Sequence, residues 1–169
     1  PGIGGHCVPV DPYYLSWKAK LAGYAPKFIT FADEINSQMP AYVVRMAADV
    51  LNDRGKALRG AKILILGVAY KPNVSDVRES PALEILQLLL SKGANVAYHD
   101  PHVPSLAVDG KIMTSVPWGT AHLRGQDLVL ILTNHDEFDV TRLVEVAPLV
   151  LDTRNATGAL GQLPNVIRL

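Results

Sequence analysis

Residues 61–68, Ala61-Lys62-Ile63-Leu64-Ile65-Leu66-Gly67-Val68, make a nearly continuous apolar run. A strand covered on both faces reads this way, whereas a strand with one wet face alternates. Residues 127–133, Asp127-Leu128-Val129-Leu130-Ile131-Leu132-Thr133, repeat the pattern. Between them Ser80-Pro81 sets an N-cap and a proline at the first helical position, and Gly93 stops the helix after Lys92. Residues 95–100, 111–115 and 149–152 read as further strands, residues 140–146 as a short helix, and residues 166–169 as a final edge strand. Strands alternating with helices over short connections predict an α/β fold. The sheet is expected to be parallel and doubly wound, with helices on both faces.

Upstream the pattern changes. Residues 13–21 read as a short helix closed by Gly23, and residues 28–54 as the longest helix of the chain. Ile35, Met39, Val43, Met46, Val50 and Leu51 keep three-to-four spacing, and Gly55 ends the run. Pro40 is expected to kink this helix or to sit where a break is tolerated. The long apolar stripe fits a subunit contact or packing on its own chain. The chain thus divides into a long-helix central region, residues 1–59, and a Rossmann-like region, residues 60–169.

The 169 residues carry zero formal net charge, 49% hydrophobic side chains and one cysteine. Zero net charge gives no electrostatic case for a nucleic-acid partner or an anionic membrane. The apolar runs are short of a membrane span. A single cysteine excludes an internal disulfide framework and fits a reducing, cytoplasmic setting. The five histidines show no metal-ligand spacing, so no metal site is expected.

Ligands on parallel sheets bind beyond the carboxyl ends of the strands. The loop after the first strand has Gly67 but no Gly-x-Gly-x-x-Gly turn, so the usual pyrophosphate cradle is missing. Lys71, Arg78 and Arg154 instead bring cations to that edge. Together they suit a diphosphate; singly each reads better as a solvated surface charge. His99-Asp100-Pro101 reads as a strand end and turn.

The lone thiol sits in Gly4-Gly5-His6-Cys7-Val8-Pro9-Val10-Asp11-Pro12. The glycines let backbone approach a ligand closely, and the prolines stiffen the loop beyond the thiol. Cys7 is then a nucleophile on a shaped loop or a small buried hydrophobe. Asp11 is near enough in sequence to serve the same site. His6 is adjacent, but consecutive residues on an extended loop face apart. The chain opens on this loop without a preceding element, as the C-terminal part of a longer enzyme would.

The segment from Gly4 to Leu15 resembles the active-site segment of the nucleotide-sugar 6-dehydrogenases, the UDP-glucose/GDP-mannose dehydrogenase family. Gly67-Val68-Ala69-Tyr70-Lys71, Asp76-Val77-Arg78-Glu79-Ser80-Pro81 and Asp152-Thr153-Arg154-Asn155 are similar to that family's C-terminal motifs, in family order. The resemblance implies an NAD-dependent enzyme that oxidises the C6 alcohol of a nucleotide sugar to a uronate. It also implies a homodimer through the central helix and a separate N-terminal NAD-binding domain that this chain lacks. Cys7 matches the family's nucleophile and Asp11 its acid near the water. Gly4, Gly5, Tyr70, Lys71 and Arg154 match positions at the sugar nucleotide, and Arg78 one that reaches NAD. Val10 stands where UDP-glucose enzymes commonly carry lysine, which leans the pattern toward UDP-N-acetylhexosamines. On this reading the isolated chain is inactive. A non-catalytic nucleotide-binding or dimerisation module of the same fold is the alternative.

Overall fold

A computed structural model describes all residues, 1–169. Five parallel strands form the main sheet: β1 (Lys62–Leu66), β2 (Asn95–His99), β5 (Leu128–Ile131), β6 (Val150–Asp152) and β7 (Val166–Arg168). Their spatial order is β2-β1-β5-β6-β7. The chain therefore leaves β1 toward one edge and returns on its other side, making a switch point between β1 and β5.

Alternate residues of β1 serve opposite layers. Ile63 and Ile65 pack with α2 (Lys27–Asn52), α3 (Pro81–Ser91) and Tyr98. Leu64 and Leu66 pack with α4 (Thr120–Arg124), α5 (Val140–Val146) and Phe138. Both faces are covered, which is why the strand sequence does not alternate. The α3 helix starts as its sequence requires: Ser80 Oγ accepts from the Ala82 amide at 3.4 Å and donates to the Val68 carbonyl at 2.8 Å. One side chain thereby caps the helix and fastens it to the end of β1.

The expected third strand falls elsewhere. Lys111–Thr114 (β4) pairs antiparallel with Ser105–Val108 (β3) in a separate ribbon. The joining residues Asp109 and Gly110 both have positive φ, +49° and +76°. That is the two-residue hairpin turn, and a connection this short cannot link parallel neighbours.

The long helix runs unbroken through Pro40, which is buried. Proline has no N–H to offer the carbonyl of Asn36, so the ladder lacks a bond there. The Asn36 side chain in turn holds the Ile3 backbone with two bonds, at 2.7 and 3.3 Å. The helix is buried along only part of its length. Val43, Val44, Ala47, Val50 and Leu51 are buried against the sheet domain, while Phe28, Phe31 and Ile35 are 89%, 61% and 49% exposed. On α1 (Asp11–Leu21) only Ser16 is buried, and Tyr14, Leu15 and Trp17 face outward. No helix is long and apolar enough to cross a membrane.

Candidate functional site

The loop bearing Cys7 lies against the loop after β1. Gly5 has φ +97°, and a Cβ there would come within 2.8 Å of the Tyr70 ring. A Cβ on Gly4 would meet the Glu79 carbonyl at 2.4 Å. The Gly5 amide donates to the Arg78 carbonyl at 3.3 Å. The two glycines thus admit protein, the 70–81 loop, where the sequence pattern predicts a ligand. Beyond them the amides of Val10 and Asp11 both return to the Cys7 carbonyl, at 3.0 and 2.8 Å. This turn leads straight into α1, with Asp11 as its first residue.

Cys7 is exposed, so the buried-hydrophobe alternative does not hold. His6 Nδ1 lies 3.9 Å from its Sγ, so the two side chains do not face fully apart as expected. Asp11 and Lys71 are exposed, and Lys71 Nζ stands 5.3 Å from the centre of the Tyr70 ring.

Arg78 is not a free cation. Its Nε and Nη2 grip Asp76, the shortest contact being 2.7 Å, and the Arg78 amide donates to the same carboxylate at 2.9 Å. These Arg78 bonds hold the Asp76 carboxyl down at about 2. Asp76 in turn raises Arg78.

Arg154 is set by Asp152, a buried carboxylate that accepts from the amides of Arg154, Ala156 and Thr157 and from the Thr157 hydroxyl. The loop of Gly4, Gly5 and Cys7 and the loop of Tyr70 and Arg78 touch at the carboxyl edge of the sheet, and Arg154 follows β6, two strands from β1, at that same edge. A cleft of about 740 Å³ runs beside the loop, lined by Pro9, Val10, Asn36, Glu79 and Glu84 among others. Neither Lys71 nor Arg154 lines it.

The strand end read as His99-Asp100-Pro101 holds a residue that the sequence reading missed. Asp100 is buried, and its carboxylate accepts from the amides of Val68, Ala69, His102 and Val103 and pairs with His135 at 3.0 Å. Burial pushes this carboxyl up, but His135 and the amides of Val68 and His102 outweigh it and hold it below the ordinary value. At the same switch point Gly67 has φ +78°, and a Cβ there would stand 2.3 Å from the Thr133 carbonyl. The missing glycine fingerprint has a structural counterpart: a carboxylate from β2 takes two amides at the end of β1. Those amides would face a pyrophosphate in a dinucleotide turn. A charge placed after an apolar strand is costly to bury unless paired, and that was the available signal.

Ligand atoms of His102, His135 and Glu137 also come within 4.8 Å of one another, a grouping that sequence spacing hid. Both nitrogens of His135 are engaged, one by the Asn73 amide and one by Asp100, which leaves that ring no lone pair for a metal.

Residues 64–159 match the model of the UDP-glucose/GDP-mannose dehydrogenase family, UDP binding domain, and residues 1–38 that of the family's central domain. The chain belongs to this dehydrogenase family. It is similar to the UDP-N-acetyl-D-mannosamine dehydrogenase of Methanococcus maripaludis, 36% identical over 163 residues, covering 92% of this chain and 35% of that protein. It is also similar to the UDP-glucose 6-dehydrogenase of Bacillus subtilis, 35% identical over 161 residues, 91% of this chain and 34% of that protein. Among solved structures, the UDP-D-ManNAc dehydrogenase of Pyrococcus horikoshii superposes with a TM-score of 0.80 at 26% identity, covering 99% of this chain and 38% of that one. The chain spans about a third of the length of these family members.

Proposed function

We propose that this chain forms part of an NAD-dependent UDP-sugar 6-dehydrogenase that converts a UDP-N-acetylhexosamine to its uronate. Residues 1–59 serve as active-site loop and central dimerisation region, and residues 60–169 as the UDP-sugar-binding domain. The observation that carries this reading is the docking of the Cys7 loop on the loop that bears Tyr70, Lys71 and Arg78. A nucleophile and three candidate nucleotide contacts converge there, in a chain that matches both family domains.

The first turn of this sheet does not fit a dinucleotide pyrophosphate, because Asp100 holds its amides. The NAD+ cradle is assigned to a separate domain of the full-length protein, and Arg78 would meet the cofactor by exchanging Asp76 for it. NAD+, when bound, supplies the hydride acceptor for both oxidations. Lys71 and Arg154, from two loops of the same sheet edge, neutralise the diphosphate, and Tyr70 packs on the bound sugar nucleotide. After the first oxidation the C6 aldehyde holds no hydride ready to leave. Cys7, as thiolate, adds to C6 and makes a thiohemiacetal, whose C6 hydride can then depart to leave a thioester. Water attacks that carbonyl, Asp11 accepts its proton, and the C–S bond breaks to release carboxylate and free Cys7.

The test uses the full-length protein with UDP-N-acetylmannosamine, UDP-N-acetylglucosamine and UDP-glucose in turn. Uronate and two NADH per sugar are expected, with the N-acetylated sugars preferred. Cys7→Ser should lower uronate formation by several powers of ten and leave UDP-sugar binding intact. Sugar-nucleotide binding without NADH formation by the full-length wild type would favour the non-catalytic module instead.

A further inference from the structure

Three loops at the carboxyl edge of the sheet meet on one buried pair. The side chains of Asp100 and His135 are both 0% exposed. The Asn73 amide lies 3.0 Å from His135 Nδ1. An amide N–H can only donate, so Nδ1 carries no proton and the ring's hydrogen is on Nε2, directed at Asp100 Oδ2 3.0 Å away. Asp100 in turn holds the amides of Val68 and Ala69, and Thr133 Oγ1 donates to the Ala69 carbonyl at 2.6 Å.

The far end of the same loop is clasped at the surface. Asn73 Nδ2 donates to Asp136 Oδ2 at 2.7 Å, and the Asp136 amide returns a bond to Asn73 Oδ1 at 3.1 Å. Asn73 itself has φ +61°, a left-handed conformation that asparagine tolerates better than most residues. The stretch from Ala69 to Asn73 is thus fixed at both ends, and Tyr70 and Lys71 lie between the two anchors. Neither His135 nor Asp100 reaches solvent, so neither can touch a ligand directly.

We infer that His135 and Asp100 are positioning residues that hold the Tyr70-Lys71 segment in the conformation that receives the diphosphate of a sugar nucleotide. The inference rests on the UDP-sugar reading above. Its physical content is preorganisation: the loop is ordered during folding, so ligand binding does not have to order it. The imidazole suits the task because one planar ring presents an acceptor to Asn73 and a donor to Asp100 on opposite sides.

The experiment uses the full-length protein labelled with ¹⁵N, with UDP as the probe. In the wild type the His135 ring should show one protonated and one bare nitrogen, with Nδ1 the bare one. His135→Ala should make the amides of Tyr70, Lys71 and Asn73 exchange at least about tenfold faster while those of Ile63 to Leu66 keep their rates. UDP should bind about tenfold more weakly. His135→Gln, which keeps one donor and one acceptor, should recover most of both effects. A folded His135→Ala protein with unchanged loop exchange overturns the inference, as does faster loop exchange with unchanged UDP affinity. Wild type that fails to bind UDP, with the loop still released by His135→Ala, overturns the UDP-sugar reading and leaves the latch standing, so the two failures are told apart. If His135→Ala does not fold, Asp136→Ala decides, since it removes the exposed clasp alone. Unchanged exchange at Asn73 together with unchanged UDP affinity in that variant overturns the inference.

Discussion

A Cβ on Gly5 would stand 2.8 Å from Cε2 of Tyr70, and Gly5 holds a φ of +97°. The thiol loop and the loop after β1 therefore touch at a point where only hydrogen fits. Gly4 is tighter still, because its virtual Cβ meets backbone, the Glu79 carbonyl, at 2.4 Å.

Gly4→Ala should accordingly undock the Cys7 loop more completely than Gly5→Ala, since an aromatic ring can turn aside and a carbonyl cannot. Each substitution is expected to cost about 1–3 kcal/mol, the scale of overpacking. The Ile3 amide, bonded to Asn36 when the loop is docked, reports the change. Its hydrogen exchange should accelerate in both variants, more in Gly4→Ala, while the sheet amides stay protected. Equal exchange in all three proteins would show that the loop does not depend on the glycines.

Asp100 carries a pH signature of known sign. Its folded pKa lies below the ordinary carboxylate value, which is about 3.9 in an unfolded chain. Its contribution to stability is therefore fully present above about pH 4 and is lost as the pH falls through the lower, folded value. Asp100→Asn should be less stable near neutral pH by about 1–3 kcal/mol, the scale for leaving buried donors short of a charged partner. The acid limb of its stability curve should be shallower than that of the wild type. Urea unfolding from acid to neutral pH gives both quantities, and parallel curves would remove Asp100 from this role.

Asp76 should titrate at about 2 when followed by carboxyl NMR shifts. In Arg78→Ala it should return toward about 3.9, the unperturbed value. A group at about 2 is charged at every physiological pH, so an anion approaching Arg78 competes with Asp76 for the same guanidinium. Titration of Asp76 unchanged by the Arg78 substitution would dissolve that pairing.

The exposed aromatics Phe28 and Phe31 on the N-terminal half of α2 should drive self-association. Sedimentation at tens of micromolar, roughly the concentration a modest interface requires, should show a dimer. Phe31→Glu should shift the population to monomer and leave the melting temperature unchanged at dilutions where the wild type is also monomeric, because the Phe31 side chain is largely exposed on its own chain. A wild type that stays monomeric under these conditions would argue for packing against another part of the full-length protein instead.

Much of the architecture was legible along the chain because its signals are local. The run Ile63-Leu64-Ile65-Leu66 announces a strand buried on both sides, and Ser80-Pro81 announces a helix start, whatever surrounds them. The hairpin of β3 and β4 carries its own signal in Asp109-Gly110, but a strand read singly does not name its partner. The candidate site was legible as residue types at the right edge: Cys7, Tyr70, Lys71, Arg78 and Arg154. Pro40 suggested a kink or a break, but the helix continues through it.

The sequence by itself determined periodicity, caps, turns and the order of elements, since each depends on neighbours a few residues away. Only the tertiary structure decided which charges are free. Asp100 is held by His135 from the loop after β5 and by the amides of Val68 and Ala69 at the end of β1. The physical reason is that a charged side chain declares its sign in the sequence, while its partner is chosen by the crossing of loops in space. Asn73 and His135 lie far apart along the chain, yet one amide and one ring nitrogen at 3.0 Å join the loops that carry them.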